Sequence, residues 1–193
     1  MNPKLVLFLL CISLATAHHA RAKTILPDAC GDDSVKFDVA TQKDQLAPAS
    51  PAAGQAQIVF IESFVRNIGW IGGGPIIRFG MDGAWVGADK GDSYFTLTVN
   101  PGVHHLCASL QTISGRMKKN SVELTSFTAE PGKTYYYQFT LSVGAHSTMG
   151  ASGPGATNGG GASTDFSFDL AAVNDDVGRF RIKASPLATS KPK

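Results

Sequence analysis

The residues of this chain best suited to chemistry converge on one short run, Val103-His104-His105-Leu106-Cys107. Histidine and cysteine at such spacing raise the question of a metal site. Neighbours on a strand point to opposite faces, so His104 and His105 cannot grip one ion unless a bulge intervenes. His105 and Cys107 do share a face and could supply two ligands. No carboxylate or further cysteine stands at helpful spacing, so no metal site and no cofactor is predicted. Gly132-Lys133-Thr134 has the end of a phosphate loop, but Phe127 stands where that motif needs its first glycine, and a strand-like run follows where a helix is required. Gly150-Ala151-Ser152-Gly153-Pro154 lacks the final glycine of a nucleophile elbow. Asp175 and Asp176 follow Asn174 and suit a helix start, not an acid and base pair. No catalytic residue is predicted, and the chain is read as a non-enzyme.

Aromatic residues are the remaining functional material. Trp70, Trp85 and Tyr94 lie in or beside loops, and exposed aromatics serve protein interfaces and sugar-binding platforms. These three are the candidate binding residues, with burial in the core as the competing reading.

The elements that must position these groups are strands. Residues 57–64 form a β-branched run apolar on both sides, the pattern of a central strand. From 76 to 110 the chain reads as a β-meander: arms at 76–79 and 84–87 around Asp82-Gly83, an alternating strand at 94–99, the turn residues Pro101-Gly102, then 103–110. Residues 122–129 are a further strand. Pro131-Gly132 then leads into 134–143, where Tyr135, Tyr137, Phe139, Leu141 and Val143 are expected to face the core and Tyr136 the outside. Residues 144–163 are rich in Gly, Ser and Ala and read as a flexible loop. Residues 165–170 alternate again. Asn174-Asp175-Asp176 opens a short helix or, on the alternation of Phe180, Ile182 and Ala184, another strand. Many short strands with close-set turns predict an all-β fold, an antiparallel β-sandwich over 56–185, preceded by a segment and linker at 23–55, with a candidate short strand at 36–39, the Cys30 region docked and 43–55 mobile, and followed by a polar tail at 186–193.

The first residues indicate a compartment. A basic start, an apolar run over 5–17 and Ala20-Arg21-Ala22 read as a signal peptide over 1–22, too short for the roughly 20 residues of a membrane span. No later stretch is apolar enough to cross a membrane, so the mature chain is expected to be exported, periplasmic or extracellular. Removal of the leader leaves Cys30 and Cys107, and a disulfide between them is predicted, against the alternative of a buried thiol at Cys107 and a free one at Cys30. The chain has 17 Lys and Arg against 15 Asp and Glu, a formal charge of +2. The only basic cluster is Arg116, Lys118 and Lys119, which falls short of the concentrated basic face that nucleic-acid binding needs.

The series Met81-Asp82-Gly83-Ala84-Trp85-Val86-Gly87, Ser93-Tyr94-Phe95, Asn100-Pro101-Gly102-Val103-His104-His105 and Glu130-Pro131-Gly132-Lys133-Thr134-Tyr135-Tyr136-Tyr137 resembles a bacterial exported family catalogued as a domain of unknown function, similar in style to the small Ig-like sandwich modules called PEGA domains. That resemblance spans about residues 56 to 183 and implies an exported β-sandwich with no catalytic residues to carry over. The combined reading is an interaction module of the bacterial envelope that binds a protein partner. The alternative is a carbohydrate- or cell-wall-binding module, holding a cell-wall glycan on its aromatics.

Overall fold

The computed structural model describes residues 27–44, 50–65, 74–111, 122–147 and 162–193. Within them run β1 Phe37–Gln42, β2 Ala56–Val65, β3 Ile76–Met81, β4 Ala84–Lys90, β5 Tyr94–Val99, β6 Gly102–Leu110, β7 Val122–Ala129, β8 Thr134–Ser147, β9 Ala162–Val173, α1 Asp175–Ala184 and β10 Leu187–Pro192. The strands form two sheets, one of six in the order β1-β10-β5-β2-β8-β9 and one of four in the order β4-β3-β6-β7. Packed against each other they make the all-β sandwich that the alternation predicts. Most pairings are antiparallel, but β2 lies parallel to β8 and β10 parallel to β5. A sheet with covered faces accommodates such pairings, and this one is covered by the second sheet on one side and by α1 on part of the other.

The stretch from 76 to 110 is not a meander. β3 and β4 form the expected hairpin, with Asp82 at φ 52° and Gly83 at φ 88°, the paired positive angles that a tight hairpin turn requires. The chain then crosses the sandwich. β5 joins the six-stranded sheet, and β6 returns to the four-stranded sheet beside β3. The two faces of β5 explain the crossing. Phe95, Leu97 and Val99 pack into the space between the sheets while Tyr94, at the start of the strand, packs beneath α1.

One further expectation is corrected. Residues 186–193 are not a polar tail, because β10 inserts between β1 and β5. Within the segment at 23–55 the strand expected at 36–39 is present as β1, which runs on to Gln42 and forms an edge of the six-stranded sheet. Its Phe37 is tied to β6 by Gln111, whose side-chain oxygen accepts from the Phe37 N–H at 2.7 Å and whose amide donates to the Phe37 carbonyl at 2.8 Å.

The core between the sheets centres on Phe60, Phe79, Phe95 and Phe139, with Phe60 4.7 Å from Phe79 and 5.1 Å from Phe95 between ring centroids. Tyr137, Phe139 and Leu141 of β8 face it as expected. Tyr136 does not face solvent: it joins Val59, Ile61, Tyr94 and Ile182 in a second cluster beneath α1. The helix begins where the sequence indicates. Asn174 is its N-cap and its side chain accepts from the Val177 N–H at 2.9 Å. At the expected flexible loop, β8 extends to Ser147 and β9 starts at Ala162, so both of its ends are strand. Its middle, the leader, Trp70 and the basic run Arg116, Lys118 and Lys119 lie outside the described residues.

Candidate functional site

The outer face of the four-stranded sheet divides into a covered half and an open half. Residues 27–35 lie as a strap across β3 and β4. Cys30 is joined to Cys107 of β6 by the predicted disulfide, with Cα atoms 5.3 Å apart. Beneath the strap the Arg78 guanidinium donates to the Asp33 carbonyl at 3.1 Å and the Val35 carbonyl at 2.7 Å, and meets the Asp33 carboxylate at 3.3 Å. The same guanidinium sits 4.3 Å from the centre of the Trp85 ring, a cation–π contact in a partly dry setting. The Trp85 indole N–H donates to the Asp32 carbonyl at 2.7 Å. A Cβ on Gly31 would overlap Trp85 Cδ1, so the strap lies directly against the ring.

This arrangement places the aromatic candidates differently from the sequence reading. Trp85 is a half-buried anchor for the strap. Tyr94 is 2 % exposed and belongs to the cluster under α1, and burial raises its phenol pKa above the ordinary value. Neither offers the free ring face that a sugar platform uses, and the two do not come together in one site. Trp70 lies outside the described residues. Position in or beside a loop predicted exposure for Trp85 and Tyr94. Burial followed from partners far along the chain, the strap for Trp85 and α1 for Tyr94.

The histidines separate as strand geometry requires. His104 turns towards Phe127, with ring centroids 5.5 Å apart, and His105 is exposed on the outer face. Cys107 shares the His105 side of the strand, but its sulfur is bonded to Cys30. Among the described residues no group of three His, Cys, Asp or Glu side chains is placed to hold a metal ion. His104 instead forms a dyad with Asp82 of the β3–β4 turn. Its Nδ1 is 2.6 Å from the Asp82 carboxylate and its Nε2 is 2.8 Å from the Asn100 carbonyl. Both partners are acceptors, so only the imidazolium donates at both ends. Partial burial alone would lower the His104 pKa, but the hydrogen bonds to Asp82 and Asn100 and the Asp82 charge raise it above its ordinary value. Burial alone would raise Asp82, yet the His105 N–H and then His104 carry it below the usual carboxylate value. An Asp–His pair is the beginning of a catalytic triad. Here the distal ring nitrogen is held by a backbone carbonyl, and the pair pins the β3–β4 turn to the start of β6.

The open half is the outer face of β6 and β7. The register sets His105 opposite Ser126, Val103 opposite Thr128 and Cys107 opposite Leu124, so these side chains share the outer face. Val103 is 64 % exposed and Leu124 51 %, and His105, Ser126 and Thr128 are exposed beside them. None of these five carries a carboxylate, an ammonium or a guanidinium. Next to the strap this face dips into a shallow concavity of about 360 Å³ lined by Ala29, His105, Leu106, Leu124, Thr125 and Ser126. Sequence reasoning did not single out Leu124. The signal was present in β7, where Phe127 and Ala129 form the inward face and leave Leu124 aligned with the polar Ser126 and Thr128.

Comparison of this chain with protein-family models, with curated proteins and with solved structures finds no match. Among the described residues no helix is long and apolar enough to cross a membrane.

Proposed function

We propose that the mature chain is a non-enzymatic interaction module of the bacterial envelope, exported behind a leader at 1–22, that holds a protein partner on the outer face of β6 and β7. The observation that carries this reading is the open sheet face itself. A soluble sandwich ordinarily covers an apolar sheet face or studs it with charge. Here one half is sealed by a disulfide-tied strap, while the other presents Val103 and Leu124 beside the hydroxyls of Ser126 and Thr128 and the His105 ring. The groups most able to react support a binding role: the two cysteines are joined, and His104 is held at both nitrogens. The resemblance to exported sandwich modules supports the compartment. With Tyr94 buried and Trp85 engaged by Arg78 and the strap, the aromatic basis of the glycan-binding alternative is weaker than that of a protein interface.

The test is site-directed photocrosslinking in native cells, with the probe residue at Leu124, at Thr128 and, as a control on the opposite side of the molecule, at Lys183 of α1. One envelope protein captured in stoichiometric yield from the first two positions only, and lost in Val103→Asp, is the expected result. Equal capture from all three positions, or recovery only with cell-wall fragments, refutes it.

A further inference from the structure

Two carboxylates are buried at the end of the sandwich away from the Asp82 turn, one from each sheet. Along β2, Ile58 and Phe60 point between the sheets and Val59 and Ile61 point under α1, so Glu62 points between the sheets. In β4, Asp89 pairs with Ile77, a residue of the central core, and shares its inward face. Glu62 is 1 % exposed and Asp89 is fully buried. One Glu62 oxygen accepts from the Gly91 N–H at 2.9 Å. The other, and both oxygens of Asp89, have no hydrogen-bond partner among the described residues.

Unpaired buried charge is among the most expensive features a fold can carry. Among the described residues, the groups that act on Glu62 are the Gly91 N–H and the carboxylate of Asp92, and the group that acts on Asp89 is Glu62, with no cationic side chain among them. A hard divalent cation would neutralise the pair but takes six or more oxygens, and among the described residues no third acidic, His or Cys side chain joins these two in a metal-holding group. A proton needs only the oxygens already present.

We infer that Glu62 and Asp89 form a proton-held latch between the two sheets, closed while the carboxyls are neutral and forced apart when both ionise. Their electrostatics agree. Burial, offset in part by the Gly91 N–H and reinforced by the Asp92 charge, pushes Glu62 up to about 8. Burial, and then the Glu62 charge, raises Asp89 well above the ordinary value. An acid whose folded pKa is raised binds more protons folded than unfolded across the interval between the two values. The Glu62 share of stability therefore falls as pH rises from the ordinary Glu value of 4.5 to about 8 and levels off above it, and the Asp89 share falls from the ordinary Asp value of 3.8 upward.

The experiment compares the mature protein with the double variant E62Q/D89N, whose amides replace the protonated acids at equal size. Folding equilibria from urea titrations are expected to converge as the pH falls below 3.8, the lower of the two ordinary values. By pH 8 they should diverge by at least about tenfold in favour of the variant, since each unit of pKa shift is a factor of ten. His104 also titrates, but it is common to both proteins and cancels in the difference. Infrared spectra provide a second measurement that needs only wild type and the single variant E62Q: a protonated-carboxyl band at pH 6 that fades as the pH passes 8 and is reduced by the substitution. Parallel stability curves, or no such band, overturn the latch. So does stabilisation of wild type by Ca²⁺ with loss of the band, which would make the pair a cation site.

Discussion

Replacing Gly178 by alanine sets a local effect against a tertiary one, and the structure decides the sign. Gly178 lies inside α1, where alanine is favoured over glycine by roughly 1 kcal/mol. It is also buried, with its α-carbon set over the Tyr136 ring of β8. A Cβ there would overlap Cγ and Cδ1 of that ring and lie 2.8 Å from Cδ2. These atoms are at the root of the ring, next to the backbone of β8, and Tyr136 is itself 7 % exposed. The ring cannot swing aside, so α1 must lift. Overpacking of this kind costs about 1 to 3 kcal/mol, and lifting the helix also loosens Ile182 from Val59, Ile61 and Tyr94. The net expectation is a loss of about 1 to 2 kcal/mol. Urea denaturation of the protein at fixed pH measures it, with Phe180→Ala as control, because Phe180 is 68 % exposed and its loss should move stability by less than about 0.5 kcal/mol. If Gly178→Ala stabilises the protein, the reasoning fails, because the helix would then not rest on Tyr136 through this glycine.

Two other perturbations probe the strap and the histidine. Removing the disulfide with C30A/C107A should cost about 4 kcal/mol by loop-closure entropy, given a separation of 77 residues between the cysteines. A loss below about 1 kcal/mol in the same urea titration would mean that the strap and its cross-link do not constrain the unfolded chain as argued. For the dyad, proton NMR should place the His104 midpoint above its ordinary 6.5 in wild type and lower in Asp82→Asn. The His104 share of that stability is complete below pH 6.5 and fades as pH rises through its folded pKa, and the Asp82 share is present above 3.8 and fades as pH falls through its lowered value. The pair is worth about 1 kcal/mol, a figure kept small because the Asp82 side chain is 41 % exposed. An unchanged midpoint in Asp82→Asn would refute the hydrogen bond as its cause.

Much of the local structure was written in short-range pattern. The alternation of 94–99 and 134–143, the positive-φ pair Asp82-Gly83 and the cap at Asn174 each depend on residues within a few positions, and each appears where the pattern places it. Pairing of Cys30 with Cys107 was also legible, because the expected loss of a leader would leave these two cysteines, and an exported chain would meet conditions that allow oxidation. The candidate site was much less legible. Exposure of a side chain depends on what crosses above it, and the strap over Trp85 and the helix over Tyr94 come from distant parts of the chain.

By itself, then, the sequence determined most of the strand segments, where the tight turns and the helix start fall, and that two cysteines meet, because dihedral preference, alternation and residue count are local or compositional properties. The tertiary structure alone decided which sheet each strand joins. A short connection serves a hairpin and a crossing equally well, and β5 crosses because Phe95, Leu97 and Val99 then meet the core between the sheets while Tyr94 finds cover under α1. It also made a strand of Leu187–Pro192, whose polar side chains give no pattern and whose backbone pairs with β1 and β5. And it brought Glu62 and Asp89, distant in the chain and unremarked as residues, into one buried space where each changes what the other can carry.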